Sequence, residues 1–272
     1  MSAQHQGLVG KIPPAADFAS ASWTYKPCLF DRHPAPLALD ACSFERVERM
    51  MQSMPSQDII YRHAADGIAA PMRRLALPEW STTPLHQRLA TETTSLMLQN
   101  VQRYDSALGD AVTQLIDWLA AELEVESSSF RQCTASIFLS SPHAISSYHT
   151  DREQNFLAHL HGVKTIHVFP CRLGAAQEVL VAMFRARKGI HFEYEPALES
   201  TATEFVLQPG NTLYVPRNWP HWVDNGAQVS MSLSINLFRL AEFALERFYT
   251  MNDWLRDRVA RATRALRPDG SG

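Results

Sequence analysis

The sequence is poor in cysteine, nearly balanced in charge and without any long apolar run, and each shortage excludes a class of protein. Four cysteines, Cys28, Cys42, Cys133 and Cys171, stand 14, 91 and 38 residues apart with no CxxC pair. That excludes a disulfide framework and the paired-thiol zinc patterns, so four reduced thiols are expected. Charged residues make up only 19%, too little for a disordered chain. Lys and Arg total 25 against 28 Asp and Glu, a formal charge of -3, which lacks the positive field of a nucleic-acid binder. No window approaches the ~18 consecutive apolar residues of a membrane span. The opening MSAQHQGLVGKIPP has no apolar core of signal-peptide length, so a cytoplasmic protein with no membrane or nucleic-acid partner is expected. There are no internal repeats, and the only low-complexity tract is the terminal DGSG.

What is present is material for a core. The 272 residues are 46% hydrophobic and include 13 Phe, 6 Trp and 7 Tyr, enough for one large β domain with additions or for two small domains. The first 36 residues are rich in Ala, Ser and Pro, with an apolar knot whose alternation predicts a short strand over 25–30. SFERVERMMQSM at 43–54 reads as an amphipathic helix capped by Ser43. Residues 55–83 carry Gly67, Pro71 and Pro78 without sustained period and read as irregular, while 84–99 and 106–125 read as helices. The texture changes near Phe130. From there to Phe238 the runs TASIFLS, NFLAHLH, KTIHVFP, TEFVLQPG, NTLYVP, HWVDN and VSMSLSINLF are short, β-branched or aromatic, and divided by turn residues. Many short strands at close spacing predict a barrel or sandwich, interrupted by a less regular insert at 171–200. Residues 240–267 return to helix, read as a pair, with six arginines from Arg247 to Arg267 off the apolar face.

The most informative stretch is Tyr148-His149-Thr150-Asp151. Residues i and i+2 of a strand point to one side, so His149 and Asp151 can present an imidazole and a carboxylate to one point. His221, in NTLYVPRNWPHWVDN, follows a strand and could bring a second imidazole there. Two His and one carboxylate leave three coordination positions open, the facial arrangement of non-haem Fe(II). An HxD alone is weak, and a surface His near a surface Asp reads the same way. His159, His161 and His167 read as partly exposed strand histidines with no carboxylate beside them. Trp219 and Trp222 suit core packing or a dry wall around the metal.

Taken jointly, HTDREQNFLAHLHGVKTIHVFP at 149–170, QPGNTLYVPRNWPHWVDN at 208–225 and SINLF at 234–238 resemble the JmjC-type, cupin-like Fe(II)- and 2-oxoglutarate-dependent oxygenases. Within these the resemblance is closest to the asparaginyl hydroxylase of hypoxia-inducible factor and its bacterial relatives. It covers about 130–240 and, more loosely, WTYKPCLF at 23–30. It implies a double-stranded β-helix, a jelly roll mainly of β structure with flanking helices: a wrap over 1–129, the catalytic core over 130–240 and a helical segment over 241–272. It implies His149, Asp151 and His221 as iron ligands, with Lys164, Ser146, Asn155 and Asn236 around 2-oxoglutarate. Lys164, inside the apolar run KTIHVF, suits a buried cation that a dicarboxylate neutralises; a strand-edge lysine reads alike. Serine at 146 stands where the family has threonine and keeps only the hydroxyl. Asn155 and Asn236 also suit strand-end amides bonded to backbone. Arg239 competes with Lys164 for the carboxylate but does not fit the family template. The implied reaction uses Fe(II), 2-oxoglutarate and O2 to hydroxylate a small-molecule or peptidyl substrate; a catalytically silent or a Lewis-acid metal-binding cupin is the alternative. The apolar stripe Phe243, Phe248, Trp254, Leu255 and Val259 suits either a homodimer through the C-terminal helices, as in the asparaginyl hydroxylase, or packing on the barrel wall.

Overall fold

The computed structural model describes residues 18–35, 37, 39, 42–64, 67–70, 73–76, 83–170 and 194–265. It begins with α1 (Phe18–Ala21) and β1 (Cys28–Phe30), then α2 (Phe44–Ser53), β2 (Ile59–His63), α3 (Leu85–Thr91), β3 (Thr94–Gln99) and α4 (Ser106–Glu122). Eight strands follow: β4 (Phe130–Ser140), β5 (Ile145–His149), β6 (Gln154–His161), β7 (Lys164–Val168), β8 (Thr203–Leu207), β9 (Thr212–Val215), β10 (His221–Asn225) and β11 (Ser230–Arg239). The chain then enters α5 (Leu240–Ala265). The strands form a seven-stranded sheet in the order β1-β9-β6-β11-β4-β3-β2 and a four-stranded sheet in the order β5-β10-β7-β8, antiparallel at every pairing. Two antiparallel sheets are the sandwich expected from the strand pattern, and they match the jelly roll that the resemblance implies. No helix among the described residues is long and apolar enough to cross a membrane.

Period-2 alternation decides which side of the large sheet each residue serves. Leu96 and Leu98 of β3, Ile137 and Leu139 of β4, Phe156 and Ala158 of β6, and Leu233 and Ile235 of β11 are buried in one cluster with Val47 and Met50 of α2 and Leu108, Leu115 and Leu119 of α4. Helices therefore cover this face. The opposite face looks toward the small sheet. At one end Ile166, Val168, Leu207, Leu213 and Val215 fill the space between the sheets; at the other it stays open as a cavity of about 640 Å³. Local chemistry supports the helical layer: Ser43 caps α2 by accepting from Arg46 N. Asp105 caps α4 by accepting from Ala107 N and Leu108 N, and its carboxylate receives Arg46 Nε and Nη2 at 2.6 and 2.7 Å. Gly162, at φ +75°, makes the β6–β7 turn, where a Cβ would lie 2.8 Å from the Val229 carbonyl.

Several expectations change. The helix read over 84–99 is the seven-residue α3 followed by β3. From Thr94 onward Leu96 and Leu98 turn to the helical layer and Met97 to the opposite face, and pairing with β2 and β4 overrides helix propensity. Residues 59–63, read as irregular, form the sheet-edge strand β2. The strand over 25–30 is only Cys28–Phe30, because residues 22–25 form a turn with Thr24 at φ 63°. The C-terminal pair is one 26-residue helix. Cys28, Cys42 and Cys133 are free thiols; Cys171, the insert as far as residue 193, Leu266 and Arg267 lie outside the described residues.

Candidate active site

Strand pairing brings the two histidines together. His149 ends β5 and His221 begins β10, and the two are directly opposite in the antiparallel register, with ring centroids 4.3 Å apart. Asp151 follows β5 by two residues, its Oδ2 3.8 Å from His221 Nε2. One ligand atom from each of His149, Asp151 and His221 lies within 4.8 Å of the others. Each ring is oriented by backbone: His149 Nδ1 donates to the Ser147 carbonyl at 2.7 Å, and His221 Nδ1 donates to the Trp219 carbonyl at 3.0 Å. A carbonyl can only accept, so both Nε2 atoms keep their lone pairs for the shared point.

The carboxylate is held as firmly. Asn155 Nδ2 donates to Asp151 Oδ2 at 3.0 Å, Ser234 Oγ donates to Asn155 Oδ1 at 3.2 Å, and Asn236 Nδ2 donates to Ser234 Oγ at 3.2 Å. Asn155 and Asn236 are direct cross-strand partners of β6 and β11. Burial opposes ionisation of Asp151, but the positive charge that His221 and His149 carry when protonated, together with the Asn155 amide, outweighs it and holds the carboxyl below its usual range. Neither asparagine is a strand-end amide satisfied by backbone.

Lys164 opens β7, opposite Asn225 of β10 and Leu207 of β8, and is buried at 4% exposure. No carboxylate among the described residues pairs with it. Burial alone pulls its ammonium down to about 7, the signature of a cation placed without its counter-ion. Its neighbour His159 is fully buried, correcting the expectation of partial exposure: Nε2 donates to the Gly162 carbonyl at 3.0 Å and Nδ1 accepts from Ser232 Oγ at 2.9 Å. Burial and the nearby Lys164 push His159 down to about 3, so it stays neutral and adds no second charge. His161 is exposed, and His167 stacks on Trp222 at 3.8 Å with Nδ1 3.0 Å from Glu199.

Ser146, opposite Val223, faces the same cavity as the triad, Lys164, Asn155 and Asn236. All seven expected site residues thus share one space. Arg239 does not line it and gives its backbone N–H to Glu242. Trp222 packs outside the small sheet with Tyr148 and Phe169, away from the triad, whereas Trp219 packs between the sheets. Sequence reasoning missed the far wall: Arg62 of β2, Ser95 and Gln99 of β3, Ser136 of β4, and Arg74. A signal for part of it exists in SMSLSINLF and TASIFLS, where small polar residues alternate with large apolar ones, the pattern of a strand with one face on a core and the other on a polar space. Arg62 and Arg74 belong to no motif.

The fold is shared with solved structures of YcfD from Escherichia coli. One matches at 15% identity and TM-score 0.53, over 83% of this chain and 53% of its own. A second, of YcfD as a ribosomal oxygenase, matches at 18% and 0.52, over 82% and 50%. A third, of this ribosomal oxygenase in complex with cobalt and 2-oxoglutarate, matches at 17% and 0.52, over 85% and 55%. At such identity the likeness is one of fold, and this chain spans about half the length of those proteins. No curated protein matches the sequence. Residues 85–239, more than half of the chain and including every strand from β3 to β11, match the Cupin-like domain, and the chain belongs to that family.

Proposed function

We propose that this protein is a non-haem Fe(II)- and 2-oxoglutarate-dependent dioxygenase that hydroxylates an amino-acid side chain or a small metabolite. The observation that carries the reading is the conjunction, in one cavity, of the open His149–Asp151–His221 donor set with a buried lysine that has no carboxylate partner among the described residues. Two imidazoles and one carboxylate suit ferrous iron and leave three positions for other ligands. With iron bound, 2-oxoglutarate and O2 supply the oxidation: substrate C–H becomes C–OH, 2-oxoglutarate loses CO2 and becomes succinate, and the two oxygen atoms divide between alcohol and succinate.

The chain's own residues bind and orient. Lys164 pairs with the distal carboxylate of 2-oxoglutarate, and the Ser146 hydroxyl donates to the same group. Asn155, held by Ser234 and Asn236, fixes the Asp151 oxygen nearest His221 Nε2, which would ligate the metal. The fold neighbour that holds cobalt and 2-oxoglutarate supports these cofactors. Its identity as a ribosomal oxygenase supports a peptidyl side chain beside a free metabolite as substrate. Closeness to the asparaginyl hydroxylase of hypoxia-inducible factor rests on the sequence motifs alone. Free Cys28, Cys42 and Cys133 support a reducing, cytoplasmic setting.

The proposal includes a homodimer through α5. Phe243 packs on Phe238 of β11, but Leu245, Phe248, Met251, Trp254, Leu255 and Val259 are 40–62% exposed, which supports a second copy covering the stripe beyond Phe243. Light scattering is expected to give a dimer that Trp254→Arg converts to folded monomer; a monomeric intact protein at micromolar concentration removes this element. For the activity, iron-loaded protein supplied with 2-oxoglutarate and O2 is expected to form succinate. Tight metal binding with no succinate would return the silent or Lewis-acid cupin.

A further inference from the structure

Two cavity residues have no part in holding metal or co-substrate. Arg62 and Arg74 are an isolated antiparallel bridge pair. His63 N donates to Arg73 O at 2.9 Å and Leu75 N donates to Tyr61 O at 2.8 Å. These bonds flank the pair without joining it, which makes 62 and 74 a non-hydrogen-bonded cross-strand pair, the type in which side chains stand closest, with Cβ atoms roughly 4.5 to 5.5 Å apart. Both side chains line the cavity that holds His149, Asp151 and Lys164. Like charges directly opposite destabilise a sheet. Burial, and then the charge of Arg74, lower the pKa of the half-buried Arg62 guanidinium.

Nothing described neutralises them. The cavity is lined by four cationic side chains, Arg62, Arg74, Arg152 and Lys164, and by two carboxylates, Asp151 and Glu153. Asp151 belongs to the histidines, and Glu153 stands 3.8 Å from Arg152. A divalent metal and a dianionic co-substrate cancel one another, so the excess charge stays on the Arg62–Arg74 wall. The 640 Å³ cavity is of a size that takes a second small molecule beside a five-carbon diacid. Paired guanidinium forks match carboxylate and phosphate oxygens bidentately. We propose that Arg62 and Arg74 bind an oxyanion, a carboxylate or a phosphate, carried by the primary substrate. The proposal rests on the dioxygenase reading of this cavity and names the substrate class it accepts.

The test uses metal-free protein, so that it stands apart from the reaction, and the Lys164→Met variant, so that the co-substrate's cation is absent. Inorganic phosphate and N-acetylglycine are titrated separately by calorimetry. At least one is expected to bind both the wild-type and the Lys164→Met protein, and to bind roughly tenfold or more weakly when Arg62→Gln or Arg74→Gln is added. Tighter binding of phosphate marks a phosphate ester, and tighter binding of N-acetylglycine a carboxylic acid. Arg74 is exposed, and its loss relieves a like-charge pair, so Arg74→Gln should not lower the melting temperature and carries the test even if Arg62→Gln misfolds. Failure of both probes to bind, or binding lost with Lys164→Met and kept in Arg74→Gln, overturns the proposal. Succinate formation is unaffected by that outcome and decides the dioxygenase reading separately.

Discussion

The two faces of β11 are buried alike and built oppositely. Met231, Leu233, Ile235 and Leu237 turn toward the helices at 0–1% exposure; Ser230, Ser232 and Ser234 turn toward the small sheet at 0%. Burial therefore does not distinguish core from site here; chemistry does. On the helix side, large side chains interlock and remove apolar area from water. On the side of the small sheet, small hydroxyls bond Asn155, His159 and Asn225, and Ser234, Asn155 and Asn225 line the cavity. One strand thus serves stability with its odd positions and function with its even ones.

If that division holds, substitutions on the two faces separate activity from stability. The largest effect is expected at the triad: His149→Ala, Asp151→Ala and His221→Ala each lose iron-dependent succinate formation, because two donors do not hold an open metal site, while circular dichroism shows each still folded. Full turnover in any one removes that residue from the triad. On the apolar face, Leu233→Ala should cost about 2 to 5 kcal/mol in urea unfolding through the cavity it leaves. An equal loss from Ser234→Ala would break the comparison.

Lys164→Met should raise the 2-oxoglutarate requirement by roughly 30-fold or more, the effect of losing a buried charge pair, with metal affinity retained. It also has a pH signature. The folded ammonium is pulled to about 7 from 10.5, so burying its charge costs stability in full below pH 7. That cost is relieved as pH rises from 7 toward 10.5, where the unfolded chain still binds the proton and the folded chain does not. Lys164 is thus expected to make the ligand-free protein gain stability across that window, and in Lys164→Met this rise should vanish; an unchanged profile places the charge elsewhere. The smallest of these effects is Asn155→Ala, expected to lower metal affinity by about 10-fold by releasing Asp151; unaltered affinity in a metal titration would show that Asp151 needs no such hold.

Much of the metal centre was legible because its information is local. His149 and Asp151 share a strand-end spacing, His221 sits in a distinctive WPHW run, and Lys164 is a lone cation in an apolar run. The opposite wall was not. Residues 84–99 carry apolar positions that suit a helix at their start, and only pairing with β2 and β4 shows that Thr94–Gln99 is a strand. Arg62 and Arg74 are separated by residues with no period, and their juxtaposition exists only in the bridge. His159 looked like its exposed neighbour His161 because alternation gives a residue's side but not how far the fold covers it.

The central claim is that the cavity face of this sandwich binds ferrous iron and 2-oxoglutarate together. Anaerobic titration of the Fe(II)-loaded protein with 2-oxoglutarate tests it most directly, because bidentate chelation through the keto oxygen and adjacent carboxylate produces a visible metal-to-ligand charge-transfer band. The band is expected in the wild-type protein, only at higher 2-oxoglutarate in Lys164→Met, and not at all in His221→Ala. Iron binding without the band at saturating 2-oxoglutarate would contradict the account.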